Sequence, residues 1–460
     1  MASKSKRARM APQDNLPRKF TYWAIAVFLI KLAIIFRIQG LNAGSGDRVY
    51  FIDGAWLGAD GENYLTGYFA LLNDGIFSDE GILNYWPAGY PMFILFLSML
   101  GKSWVLTTLS IVQSLIFSLA TVFFVTQLSK TRLKKYSHLT LIIVLLNPTL
   151  SLSSIAIGYE SLTASGLLIC LGLVVKSFVL KQNIKFLNYL IVSSLIFSFL
   201  SFIQPRLIVT GLLINFLWII VWKGLKASTP LIILALLVTL IFPAILIYRN
   251  NKAIGLNSIS TNLGVTMNIG AGDGATGGYM QEGYGVPCNL VGSSVEQDNQ
   301  RVKCVLNWYL ANPNKVPRLL FNKSIYFWSP WYGPVANGTM ARNPWLTINP
   351  IKNITANRDG FNLVYGGFGK IVSWTWLVGG LGLLLYGFII LWRLKSLEKF
   401  IGIIAMFAIA SNWFISLVTI GDHRFRIPIL GASLFLQAIA LKTIWRGGKP
   451  VLVEGPDLKN

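Results

Sequence analysis

Long apolar runs recur along the whole chain. A run of about 18 or more such residues can cross a bilayer as a helix. Inside hydrocarbon every backbone N–H and C=O must find a partner within the protein, so these runs are read as helices. Composition agrees: 54% of the 460 residues are hydrophobic and 13% are charged, against about 25% charged in soluble domains. The mean hydropathy is +0.57. The sequence therefore predicts an all-α polytopic membrane protein and argues against a purely soluble one.

The formal charge of +22 would suggest nucleic acid in a soluble chain. Here cytoplasmic loops enriched in Lys and Arg account for it, and too few polar residues remain for a nucleic-acid domain. Residues 1–19 form a basic tail, read as cytoplasmic. The run Phe20–Phe36 lacks a small-residue cleavage site at its end and reads as a first span. Of three cysteines, Cys170 lies in an apolar run, whereas Cys288 and Cys304 share a long polar segment. A disulfide between those two is left open.

About ten spans follow from the apolar pattern: Phe20–Phe36, Trp104–Leu128, Leu139–Ile157, Leu162–Leu180, Phe186–Phe202, Leu207–Trp222, Pro230–Tyr248, Ile371–Trp392, Phe400–Ile420 and Ile427–Trp445. The expected organisation is an N-terminal module over 20–248 with a first outer loop over 37–103, an extracytoplasmic segment over 249–370, C-terminal helices over 371–445, and a cytoplasmic tail over 446–460. Pro87–Leu100, Val295–Leu310 and Val316–Trp328 are expected as helices on the outer membrane surface. Alternate span ends meet Lys/Arg clusters such as Lys130, Arg132, Lys134 and Lys135. That places both termini inside and the long polar segments outside.

Most acidic residues then fall outside. Asp53, Asp60 and Glu62 belong to the first loop, and Glu160 lies between two spans on the same side. A carboxylate there can serve as general base for a hydroxyl; the bland alternative is a solvated acidic loop. Tyr64 and Tyr68 follow Asp60 at helical spacing, and Asn73-Asp74-Gly75 closes that helix. Asp60 thus stands at a helix N-terminus, which favours negative charge. The Gly-rich stretch Gly264–Gly278 lacks the Lys-Ser/Thr ending of a nucleotide-binding loop and is expected to be a flexible loop. The sequons Asn337-Gly338-Thr339 and Asn353-Ile354-Thr355 are short matches of the kind that occur by chance.

The order of these features resembles the bacterial glycosyltransferase family 39, relatives of protein O-mannosyltransferases and lipid A aminoarabinose transferases with the GT-C fold. The resemblance is carried by the first-loop acid, the Tyr-containing helix and Trp86-Pro87-Ala88-Gly89-Tyr90-Pro91. Further along it is carried by Asn147-Pro148 with Gly158-Tyr159-Glu160-Ser161, Gln204-Pro205-Arg206, Arg249-Asn250, and His423-Arg424-Phe425-Arg426-Ile427-Pro428. It implies a GT-C-like bundle with a layer of helices on the outer membrane surface. It also implies transfer of a sugar, with inversion, from a polyprenyl-phosphate donor to a lipid, glycan or protein acceptor on the extracytoplasmic side of the cell membrane.

The resemblance assigns the base to Asp60. Many relatives carry adjacent Asp-Glu there, whereas Gly61 separates Asp60 from Glu62 in this chain. Asp53 stays an alternative, and Glu62, Tyr64 and Glu160 are candidates for catalysis or acceptor binding. The donor phosphate needs cations, and the planar fork of Arg suits it. Arg206, Arg249, Arg424 and Arg426 lie at outer span ends, with Arg249 and Arg424 favoured; snorkelling toward the interface is the plain alternative for each. No His/Cys/Asp spacing supports a metal site, and a divalent ion held by carboxylates is left open. The rival readings are a flippase for a lipid-linked sugar and a surface-polysaccharide polymerase or ligase. A flippase predicts ionisable residues deep in the membrane, for which Lys31 is the candidate.

Overall fold

The computed structural model describes residues 16–37, 50–52, 55–57, 61–180, 182–225, 228–278, 285–328, 367–394, 397–450 and 452. The longest helices are α1 (Leu16–Arg37), α5 (Val105–Leu128), α8 (Glu160–Leu180), α9 (Asn183–Ile203), α16 (Gly367–Trp392), α17 (Leu397–Val418) and α18 (Ile427–Trp445). Shorter helices lie between them: α2 (Gly61–Asp74), α3 (Ile82–Tyr85), α4 (Gly89–Ser98), α6 (Lys134–Leu145), α7 (Pro148–Ser153), α10 (Leu207–Lys223), α11 (Thr229–Thr239), α12 (Ile241–Ile254), α13 (Leu263–Ile269), α14 (Ser294–Ala311) and α15 (Val316–Trp328). Among the described residues six helices are long and apolar enough to cross a membrane, or seven with α11 and α12 taken as one bent span. The protein is a mostly helical, multi-pass membrane protein. Its strands are three short pieces in one sheet: β1 (Tyr50–Ile52), β2 (Ala55–Leu57) and β3 (Ala156–Ile157).

Two expected spans differ from straight helices. The run Leu139–Ile157 breaks after α6, restarts as α7 and ends in β3. Pro148 lacks an N–H and disfavours helical geometry at the residue before it. Asn147 caps the new helix, its Oδ1 accepting from the Leu150 N–H at 3.0 Å. The run Pro230–Tyr248 bends by 40° between α11 and α12. Pro243 cannot donate to the preceding turn, which is a common cause of such a bend. The neighbouring Phe242 N–H donates instead to Ser198 Oγ of α9 at 2.9 Å.

α8 is the centre of the bundle, packed against α5, α9 and α18. Its sequence explains this position. Ser161, Thr163, Ala164, Ser165 and Gly166 are small and buried, and small residues let membrane helices approach closely. A Cβ at Gly166 would lie 2.7 Å from Leu200 of α9, and one at Gly172 would lie 2.6 Å from Phe123 of α5. Hydrogen bonds also join helices in the interior. Asn215 of α10 accepts from Ser193 Oγ at 2.9 Å and donates to Ser194 Oγ at 3.0 Å, both on α9. Thr210 and Ser411 pair at 2.9 Å between α10 and α17.

The alternation of helices brings the starts of α8, α10 and α18 and the ends of α9 and α17 to one end of the bundle. α15 packs there on α17 and on the 3-10 turn His423–Arg426, and α13 packs on α14. The Gly-rich stretch expected as a loop is helical in its first half, as α13. The cause is Asp298 of α14, whose Oδ1 accepts from the Gly264 N–H at 2.7 Å. Cys288 and Cys304 are joined by a disulfide that fastens the chain before α14 to that helix.

Candidate functional site

The site grows from the segment between α7 and α8. α5 presents a polar strip toward it: Ser110 Oγ donates to Ile155 O at 3.1 Å, Gln113 Nε2 to Ala156 O at 2.8 Å, and Ser114 Oγ to Ser154 O at 3.1 Å. These bonds satisfy backbone that would otherwise lie bare inside the bundle. Tyr90 of α4 completes the clamp, its hydroxyl accepting from Gly158 N at 2.8 Å and donating to Gln113 Oε1 at 3.2 Å. Gly89 lets α4 come this close, since a Cβ there would lie 2.0 Å from the Phe202 carbonyl oxygen. On the other edge, β2 of the first loop runs parallel to β3, with Leu57 beside Ile157.

Glu160 follows as the first residue of α8 and is buried. A Cβ at position 158 would lie 2.3 Å from its Oε2, so the carboxylate folds back over Gly158. Its Oε1 accepts from Arg424 Nε at 2.5 Å. Arg424 lies in the turn between α17 and α18, which Asp422 opens by accepting from the Arg424 N–H at 2.9 Å. The Arg424 guanidinium reaches the Tyr64 hydroxyl of α2 at 3.5 Å and stands 5.2 Å from the Tyr159 ring centroid. Tyr64 packs edge-on against Tyr90 and Tyr159, at 4.9 and 6.2 Å between centroids.

Arg206, in the turn between α9 and α10, joins this group. Its guanidinium lies 3.9 Å from the Phe425 ring centroid and feels the charges of Arg424, Glu160 and Asp422. All three of its guanidinium nitrogens are buried, and among the described residues none has a hydrogen-bond partner. A buried charge left in this state costs several kcal/mol. An arrangement of this kind can hold an anion whose oxygens meet the empty donors.

The structure separates the other candidates. Arg249 is spent on its own chain. It donates to Ile76 O at 3.0 Å, to Asn84 Oδ1 and Asn250 Oδ1 at 2.9 Å each, and to Ser78 O. It clamps the loop between α2 and α3 and has little left for a phosphate. Arg426 donates to Trp328 O at 2.7 Å and so ties α15 to the bundle. Glu62 is exposed in the first turn of α2. Asp53 and Asp60 lie outside the described residues, as do both sequons. Lys31 is buried, donates to Ser154 Oγ at 2.8 Å and stands 4.3 Å from the Phe117 ring centroid. It braces the same segment from α1. Among the described residues no group of three His, Cys, Asp or Glu is placed to hold a metal ion.

One buried cation carries no signal in the apolar pattern. Lys323 of α15 is fully buried, and its Nζ donates to Tyr309 Oη at 2.8 Å, Leu417 O at 3.0 Å and Thr419 O at 2.5 Å. Three acceptors match the three donors of an ammonium, and the two carbonyls stand at the C-terminus of α17, where a cation is favoured. Replacing Lys323 by Met leaves these carbonyls without a donor. The expected cost is about 1–3 kcal/mol, read as a lower thermal midpoint in detergent.

An all-helical membrane bundle with a buried cluster of guanidinium, carboxylate and tyrosine groups at one end is thus the class that fold and site define. Neither a protein-family model nor a curated protein sequence matches the chain. Among solved structures it is similar to the archaeal oligosaccharyltransferase AglB from Archaeoglobus fulgidus, in complex with an inhibitory peptide and a dolichol-phosphate. The identity is 11% and the TM-score 0.44, over 93% of this chain and 51% of that one. It is also similar to the oligosaccharyltransferase of the same organism in complex with Zn and sulfate, with 12% identity and a TM-score of 0.44, over 92% of this chain and 49% of that one. The chain spans about half the length of these structures.

Proposed function

We propose that the protein is an integral-membrane glycosyltransferase of the GT-C type, transferring a sugar with inversion from a polyprenyl-phosphate donor to an acceptor on the extracytoplasmic side. The observation that carries this reading is the buried Arg206 guanidinium, without a hydrogen-bond partner among the described residues, set beside the Arg424–Glu160 ion pair. A lipid phosphate supplies the missing acceptors, and apolar helices around the site suit a prenyl tail. The basic clusters, such as Lys130 to Lys135 between α5 and α6, lie at the opposite end of the bundle from the site. The orientation rule then turns the site outward.

In this reading Asp60 is the base. It precedes Gly61, the buried first residue of α2, in the chain, and Tyr64 one turn later touches the site. The acceptor hydroxyl gives its proton to the Asp60 carboxylate, and its oxygen bonds to the anomeric carbon. The bond from that carbon to the phosphate oxygen breaks on the opposite face. The electron pair leaves with the polyprenyl phosphate, whose growing charge the Arg206 and Arg424 guanidinium groups stabilise. The donor phosphate needs no protonation to leave, so one base suffices.

The test is incubation of purified protein with radiolabelled polyprenyl-phosphate sugars and a membrane extract. The reading expects label to appear in a new acceptor. Movement of intact lipid-linked sugar across vesicles without a glycosidic product favours the flippase instead.

A further inference from the structure

We infer that Glu160 is a positioning residue that keeps Arg424 from full engagement with the bound donor and takes it back after transfer, so releasing the lipid-phosphate product. This rests on the reading of the site as a lipid-phosphate site. A polyprenyl-phosphate sugar is a phosphodiester with one negative charge. Arg206, the cation whose guanidinium lacks a hydrogen-bond partner among the described residues, matches it with one positive charge. The product is a phosphate monoester, which gains a second charge above about pH 6. That second charge develops as the bond to the sugar breaks, and Arg424 is the adjacent cation able to meet it.

Geometry makes Glu160 the fixed member of the pair and Arg424 the moving one. The Glu160 carboxylate sits on α8, folded over Gly158, and the strip of α5 and the Tyr90 hydroxyl hold that segment in place. Arg424 carries its guanidinium at the end of a long side chain from a four-residue turn. Its Nη2 already reaches toward the Tyr64 hydroxyl, at 3.5 Å. The length of that side chain lets the guanidinium move from the carboxylate toward a phosphate beside Arg206. A buried acid competing for the same guanidinium weakens the product complex most, because the product draws most on Arg424.

The experiment compares binding of a short-chain polyprenyl monophosphate by calorimetry to wild type, Glu160→Gln, Arg424→Gln and the double variant in detergent. Glu160→Gln keeps the size and one acceptor but removes the competing charge. Wild type is expected to bind. At about pH 8 Glu160→Gln is expected to bind on the order of ten-fold more tightly, and the gain should shrink at about pH 5.5, where the ligand loses its second charge. In the Arg424→Gln background the Glu160 change should have no effect on binding, as the coupling of two contacting residues requires. In turnover Glu160→Gln should lower kcat and donor KM together, because slower product release leaves kcat/KM unchanged. A Glu160→Gln protein that binds the monophosphate no better than wild type overturns the latch and leaves the lipid-phosphate reading standing. Wild type that binds no monophosphate overturns both. Cooperative thermal unfolding without ligand shows that the variants are folded; if Glu160→Gln fails this, Glu160→Asp, with its carboxylate drawn back, is expected to show a smaller gain of the same sign.

Discussion

Arg206→Met is expected to lower transfer from a polyprenyl-phosphate donor about 10²–10³-fold, the usual loss when one donor to developing charge is removed. The same variant should be more stable than wild type without ligand. Replacing a buried ion by an apolar side chain of similar size is often stabilising, by about 1–4 kcal/mol. At Arg206 no described group relies on its nitrogens for a hydrogen bond, so only the Phe425 ring contact and the attraction of Glu160 and Asp422 oppose that gain. Transfer by radiolabel and thermal unfolding in detergent read the two halves separately. Loss of activity together with loss of stability would make Arg206 a packing residue. Lys323 is the internal control: its ammonium is also buried, yet three acceptors depend on it, so the same change to Met has the opposite sign there.

Asp60→Asn is the second large effect. Removing a general base costs about 10²–10⁴-fold in rate, and donor binding should persist because the phosphate is held by arginines. The informative comparison is with Asp53→Asn and Glu62→Gln. Glu62 is exposed on α2, so its neutral variant should keep most of the activity. If Asp60→Asn transfers at the wild-type rate while Asp53→Asn is inactive, the base is Asp53 and the site keeps its shape otherwise.

The helices were legible where one physical cause dominates. Apolar runs mark α1, α5, α8, α9, α17 and α18, and Asn73-Asp74-Gly75 marks the end of α2, where Gly75 takes a φ of 87°. The residues Val316–Trp328 are helical over the range the sequence predicts. Hydropathy alone misread 139–157, because Pro148 and the carbonyl-binding strip on α5 are worth more than continuing the helix. It also missed α13, whose N-terminus depends on Asp298, a residue far along the chain.

The arginines show the same limit. Four of them share one location rule in the sequence, but their roles differ by what surrounds each guanidinium. Arg249 meets carbonyl and amide oxygens of its own chain, Arg426 meets Trp328, Arg424 meets Glu160, and Arg206 meets a ring. Such long-range pairing leaves no periodic trace. The motif Gly158-Tyr159-Glu160 did flag the acid, and the carboxylate lies over the space that a side chain at 158 would fill.

The most direct test is an experimental structure of the protein with a short-chain polyprenyl monophosphate bound. The phosphate is expected against the Arg206 guanidinium, between Phe425 and the Arg424–Glu160 pair. A phosphate held at Arg249, or at the end of the bundle that carries Lys130 and Lys135, contradicts the account.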